Sequence, residues 1–170
     1  MKYFTPELYG RFNSPDPDEA NRADKEWDAA QDRYEKHLKQ IRRRLPEKVR
    51  VLCDKLCLHD AAYRGLANSP LAPLPWQLAI IRVQQADKLY FLLYVLLVEP
   101  EIKRPVVSKI FSKEQPRWLY DEVDLGKSGA FCHEILISNG LVLRLVFEQF
   151  DFFEITMKER SKEPKLAKVS

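Results

Sequence analysis

Between Ala130 and Phe150 the chain reads AFCHEILISNGLVLRLVFEQF, with apolar residues alternating on both sides of Asn139-Gly140. That pair supplies the left-handed backbone a tight turn needs, so the stretch predicts a β-hairpin. A two-residue loop would set Arg144 beside Ile135 and Glu134 beside Leu145. A three-residue loop, Ser138-Asn139-Gly140, pairs Glu134 with Arg144 instead. It also gathers Phe131, His133, Ile135, Ile137, Leu141, Leu143, Leu145 and Phe147 on one face. A slip of one residue destroys that segregation, so the pattern selects the three-residue loop. The apolar face must then be covered by the rest of the chain.

Upstream the period changes to that of a helix. Asp16-Pro17-Asp18-Glu19 combines an N-cap, a proline at the first helical position and a capping-box-like acid. Ala20, Ala23, Trp27, Ala30, Tyr34, Leu38, Ile41 and Leu45 follow at steps of mostly three and four, a single apolar stripe. Pro46 stops this helix and starts a second, with Val49, Leu52, Cys53 and Leu56 as its buried face. The short connection predicts an antiparallel helical hairpin over about residues 17–58. Before it, Thr5-Pro6-Glu7 caps one helical turn, and Tyr3, Phe4, Leu8, Tyr9 and Phe12 are expected to dock on the core.

After Leu58-His59-Asp60 the pattern changes again. Asn68-Ser69-Pro70 with Pro73 and Pro75 predicts an extended loop. Trp76 to Val83 reads as a strand, and Leu89 to Val98 as a central strand covered on both faces. Lys103 to Phe111 reads as an edge strand containing Pro105. Arg117 to Leu125 and the hairpin complete a meander, and Phe152 to Met157 extends the last strand or folds back as a short one. Helices followed by strands predict an α+β fold, an N-terminal antiparallel helical hairpin packed on an antiparallel β-meander sheet. Residues 1–157 are read as one domain and 158–170 as a basic, flexible tail.

Composition narrows the function classes. The chain has 170 residues, 45% of them hydrophobic and 31% charged, which is globular. Met1-Lys2-Tyr3-Phe4 leads into no apolar h-region, and Leu89 to Val98 is about half the length of a bilayer span. Cys53, Cys57 and Cys132, an odd count, point to reduced thiols and a cytoplasmic setting. The net charge is +3, unevenly spread: residues 1–35 carry nine acids and five bases, residues 36–50 one acid and seven bases. Lys36, Lys39, Arg42, Arg43, Arg44, Lys48 and Arg50, with the basic tail, would suit a nucleic-acid partner. The acidic start and basic end of the long helix also fit its dipole, which needs no ligand.

Chemistry-bearing residues are sparse. His37 lies beside the helix stripe and reads as a surface residue. His59-Asp60 resembles the central dipeptide of the metal-dependent phosphohydrolases, but no second helical His-Asp set follows. The pair also suits a chain reversal closed by side-chain hydrogen bonds. Cys53, Cys57, His59 and His133 form a conceivable zinc set, with the two cysteines four apart on one helix face, yet there is no Cys-x-x-Cys knuckle. His133 is the one polar side chain on the apolar hairpin face. It is expected as a core histidine bonded to a carboxylate or carbonyl; at a rim it would meet Asp121 or Glu122 as a general-base pair. With five glycines, a backbone-made phosphate cradle is not expected. Trp118, Tyr120, Asp121, Glu122 and Asp124 read as an acidic edge with exposed aromatics, a protein-docking surface or a solvated edge that blocks pairing.

MKYFTPEL, LCLHDAAY and WLYDEVDL followed by HEILISNGLVLRLVF together resemble a family of small bacterial cytosolic proteins to which no activity attaches. The hairpin pattern also resembles that of small β-rich immunity proteins, which bind and block a partner toxin. The expectation is therefore a non-enzymatic bacterial cytosolic protein that binds another protein, immunity-like or an accessory subunit, with no cofactor or metal. The alternatives are a nucleic-acid-binding accessory protein using the basic segment and a hydrolase using His59, Asp60 or His133.

Overall fold

The computed structural model describes residues 1–71, 77–103 and 115–157. It begins with two helices, α1 (Pro6–Phe12) and α2 (Pro17–Ile41). Both start as their sequences dictate, with proline in the first turn behind a side-chain cap. Thr5 Oγ1 accepts from the Leu8 amide at 3.2 Å, and an Asp16 carboxylate oxygen accepts from the Asp18 amide at 3.0 Å. The expected stripe of α2 buries Ala23, Trp27, Ala30 and Ile41. Past Ile41, Arg42–Arg44 tighten into a 3-10 turn, and α3 (Glu47–Lys55) follows Pro46.

Among the described residues seven antiparallel strands make one sheet: β1 (Ala62–Pro70), β2 (Gln77–Gln85), β3 (Lys88–Leu96), β4 (Glu101–Lys103), β5 (Trp118–Leu125), β6 (Phe131–Ile137) and β7 (Val142–Thr156). The order is β1-β2-β3-β7-β6-β5, with β4 on β7 beyond the end of β3. The sheet is thus two meanders joined through the long last strand. Its outer edges meet: Ala62 bridges Arg117, the Trp118 amide donates to the Ala61 carbonyl at 2.9 Å, and the Tyr63 amide donates to the Pro116 carbonyl at 2.8 Å. The sheet therefore curls round an interior.

The hairpin register is the expected one. Phe131 pairs with Phe147, His133 with Leu145, Glu134 with Arg144 and Ile135 with Leu143. Gly140 takes φ 81°, the left-handed conformation that closes the three-residue loop. Phe152 to Met157 extends the last strand as far as Thr156.

Three expectations are corrected. The start of the expected extended loop, Asn68-Ser69-Pro70, is instead the end of a strand unread in the sequence, β1, paired with β2 from Ala62 to Pro70, with a bulge between Tyr63 and Gly65. Its exposed Asn68, Ser69 and Pro70 have poor β-propensity, and it is the ladder to β2 that holds them extended. Second, the expected α+β fold holds, with N-terminal helices packed on an antiparallel sheet, but the helix paired with α2 is α1, while α3 packs on β7. Third, β3 buries Tyr90, Leu92, Tyr94 and Leu96 on one face, while the alternate residues are only half-buried. Most of the expected strand Lys103 to Phe111, Trp76 at the start of another, the prolines at 73 and 75 and the basic tail lie outside the described residues.

The interior core joins inward residues of the sheet, Ile81, Leu92, Trp118, Ile135, Leu143 and Phe147 among them, to Ile41, Leu45, Val49 and Leu52 from the helices. On the outer side of β5 and β6 a second layer forms. There Tyr3 and Phe4 pack with Trp27 and Ala30, and Met1 and Tyr9 pack over Leu119, Leu136 and Val142.

Candidate functional site

His133 is fully buried inside the curled sheet. Its Nε2 lies 3.1 Å from an Asp121 carboxylate oxygen, and its Nδ1 lies 2.9 Å from the Tyr94 hydroxyl. The other Asp121 oxygen accepts from the Trp118 indole at 2.9 Å. These partners fix the tautomer: Nε2–H donates to the carboxylate, and Nδ1 accepts from the tyrosine hydroxyl. Burial, with the Asp121 charge second, pushes the Tyr94 hydroxyl well above its ordinary range and keeps it a donor. Both imidazole nitrogens are thereby occupied, and no lone pair is left to take a substrate proton. The core-histidine expectation is met: His133 is buried rather than at a rim, and it bonds a carboxylate, Asp121, whose side chain is 31% exposed. Sequence gives no sign of Tyr94 as partner, because it lies on β3 and reaches His133 only through the curl of the sheet.

The residues expected to form an acidic docking edge are used from within. Period two on β5 turns Asp121 inward and Glu122 and Asp124 outward. Glu122 is 5% exposed and accepts the Lys2, Tyr3 and Phe4 backbone amides at 2.7 Å each. Asp124 bonds His37 Nε2 at 2.8 Å, so His37 is more than the surface residue expected. Trp118 is wholly buried, and Tyr120 is half-buried, its ring 4.5 Å from Trp27 and 5.5 Å from Phe4. As a docking surface the set is corrected: Trp118 and Glu122 lie beneath other side chains, and the other three serve internal contacts. Glu134 opposes Glu122 across the strands and takes the Met1 amine at 2.7 Å. Its expected ion pair with Arg144 is secondary at 4.0 Å, because Arg144 reaches Glu101 at 2.8 Å.

His59 and Asp60 sit at the corner where the sheet edges meet. His59 Nδ1 lies 3.1 Å from Asp60, and Asp60 takes φ 62° in a chain reversal. The Arg117 guanidinium donates to the Asp60 carbonyl at 3.0 Å. Both side chains of the pair are largely exposed, at 45% and 65%, and His133 lies apart from them in the interior. The candidate zinc residues are likewise not brought together. Among the described residues no group of three or more His, Cys, Asp or Glu side chains is placed to hold a metal ion. α3 ends at Lys55, so Cys57 leaves the helix face that holds Cys53. Burial, with Asp121 second, pushes the Cys53 thiol up to about 12, which makes it a poor nucleophile.

The basic segment is dispersed. Lys39 pairs with Glu35, Arg42 with Asp54, and Lys48 with Asp151 while lying over the Phe152 ring. Lys36 lines a cleft beside the N-terminal segment, Arg43 and Arg44 lie in the 3-10 turn, and Arg50 lies on α3.

Among the described residues one outer surface is left without a cover. On β2, β3 and the second half of β7 the outward positions include Ile80, Phe91, Leu93, Val95, Phe153 and Ile155. Ile80 pairs with Leu93, and Phe91 with Phe153, whose rings stack 4.7 Å apart. Phe153 and Ile155 are each 48% exposed. Among the described residues the helices pack on β5 and β7, and none of these six side chains joins a buried cluster. The sequence carried a signal for it, since Leu89 to Val98 is apolar at both parities. The missing knowledge was which parity finds an internal partner.

No protein-family model, curated protein or solved structure matches the chain. No helix among the described residues is long and apolar enough to cross a membrane.

Proposed function

We propose that the chain is a non-enzymatic partner-binding protein, in the manner of an immunity protein or accessory subunit, that docks another protein on the outer face of β2, β3 and β7. The observation that carries this reading is the apolar surface around Phe91 and Phe153, which no described residue covers. With strands about 4.8 Å apart and about 3.4 Å per residue, it covers on the order of a few hundred Å², the size of a functional patch and of the dry centre of an interface. Aromatic residues at such a centre dominate binding energy. Charged residues share this face at its margins, with Arg82 opposite Phe91 and Asp151, paired to Lys48, opposite Leu93, which suits a polar ring round that centre. The saturated His133 network and the high thiol value of Cys53 support a binding rather than a catalytic role. Three unpaired cysteines fit a reducing compartment such as a bacterial cytoplasm.

The test is retention of a purified partner on the immobilised chain. A partner captured by the wild type should be lost on Phe153→Asp with Ile155→Asp and kept when Arg42, Arg43 and Arg44 are reversed in charge. Equal capture by the apolar-face variant, or loss only on charge reversal, would overturn the reading.

A further inference from the structure

A second site is built where the N-terminal segment crosses α2. Arg33, Lys36, His37 and Gln40 follow the three–four spacing of one helix face, and Lys2 and Tyr3 face them across a cleft of about 390 Å³. That volume falls within the range of small-molecule sites, about 300–1,000 Å³.

The cleft is held in shape on both sides. Glu122 fixes the backbone of Lys2, Tyr3 and Phe4 through three amides at 2.7 Å, so Lys2 springs from an anchored segment. The Tyr3 ring is buried, 5.3 Å from Tyr34 and 6.0 Å from His37. On the opposite wall Asp124 holds His37 Nε2 at 2.8 Å, and Val123 donates its amide to the Tyr34 hydroxyl at 2.7 Å.

The charge inside is uncompensated. Among the described residues no carboxylate lies within ion-pair distance of Lys2, Arg33 or Lys36, whereas the basic residues of the next turn, Lys39 and Arg42, each have one. The carboxylates attached to the cleft walls are engaged elsewhere: Glu122 by backbone amides, and Asp124 by His37 and the Leu125 amide. Lys2 keeps its ammonium 5.1 Å from the Tyr3 ring centroid, a contact that leaves its N–H donors free for an anion.

We propose that this cleft binds a phosphate-bearing small ligand. The Arg33 guanidinium matches phosphate oxygens with paired donors, Lys2 and Lys36 add point charges from either wall, and Gln40 and Tyr3 meet the body of the ligand. The site is separate from the apolar face and independent of its reading. It draws only Lys36 from the basic segment, so it is a pocket on the helix rather than a continuous stripe.

Titration calorimetry at low salt, with pyrophosphate and with ADP as probes, tests the proposal. The expected result is saturable one-to-one binding of at least one probe, weakened roughly tenfold or more by Arg33→Ala with Lys36→Ala and unchanged by Lys25→Ala. Equal affinities for the two probes would assign recognition to the phosphates; tighter ADP binding would add the ligand body. All three altered side chains are exposed, so the variants should melt with the wild type. Absence of saturable binding for both probes would overturn the proposal, as would equal weakening by Lys25→Ala. So would tighter binding of a single-stranded oligonucleotide than of ADP, lost equally on Arg43→Ala with Arg44→Ala.

Discussion

The curled sheet has two outer regions, and the chain treats them differently. Over β5 and β6 the outward positions are Tyr120, Glu122, Asp124, Cys132, Glu134 and Leu136, a mixed polar and apolar set. It is covered by residues 1–12 and by α2. Over β2, β3 and the far half of β7 the outward positions are mostly apolar, with Arg82, Gln84, Gln149 and Asp151 among them, yet no described residue covers them. Hydrophobicity alone would assign the cover the other way round. What places it is specific polar capture: Glu122 takes three backbone amides, Glu134 takes the Met1 amine, and Tyr34 accepts the Val123 amide. Buried acids give the N-terminal segment a direction and a register that a flat apolar surface would not. Among the described residues nothing covers the more apolar region.

The largest expected effect breaks the contrast between buried and open leucines. Leu145→Ala inside the sheet and Leu136→Ala beneath the N-terminal layer should each cost roughly 2–5 kcal/mol, because both side chains are fully buried. Leu93→Ala on the open face should cost about 1 kcal/mol or less, the share of a half-buried side chain. Urea denaturation of the three variants measures this. Similar losses for Leu136 and Leu93 would mean that the two regions are not different.

Next in size is the polar capture itself. Glu122→Ala leaves the Lys2, Tyr3 and Phe4 amides without their acceptor, at about 1–3 kcal/mol. Their hydrogen exchange should accelerate while that of the β2–β3 ladder is unchanged below global unfolding. Unaltered protection at Tyr3 and Phe4 would show that aromatic packing alone holds the segment.

Tyr94→Phe sharpens the inner half of the comparison. It leaves His133 Nδ1 without a donor in a dry interior, which should cost about 1–3 kcal/mol although the ring packing is kept. No loss on chemical denaturation would mean that the hydroxyl does not serve the histidine.

The smallest effect concerns the cysteines. Folded Cys53 keeps its proton to about pH 12, whereas an unfolded thiol loses it near 8.5. A folded value above the unfolded one stabilises the fold fully below about pH 8.5, and the gain is lost as pH rises toward 12. Thiol labelling at pH 8 should therefore be fast at exposed Cys57 and slow at Cys53 and Cys132, whose thiol burial also pushes up. Fast labelling at Cys53 would contradict its burial.

The elements whose sequence period matches their environment were legible: the hairpin with its Asn139-Gly140 turn, the stripe of α2 and the strand character of Leu89 to Leu96. β1 was hidden because Gly65, Ala67, Asn68, Ser69 and Pro70 are weak strand formers held by pairing with β2. The acidic stretch on β5 was misjudged for a different reason. Its alternation was readable, but the partners of each parity come from the first four residues, from α2 and from β6. The open face was readable as apolar, and only the fold shows that nothing described covers it.

The most direct measurement is the thermal melt of the chain carrying Phe153→Asp and Ile155→Asp. If the outer face of β2, β3 and β7 is built for a partner rather than for the fold, the isolated variant should melt within a few degrees of the wild type, far above Leu145→Ala. A fall in Tm as large as that of Leu145→Ala would show that these side chains belong to the core, and the division between the two outer regions would not stand.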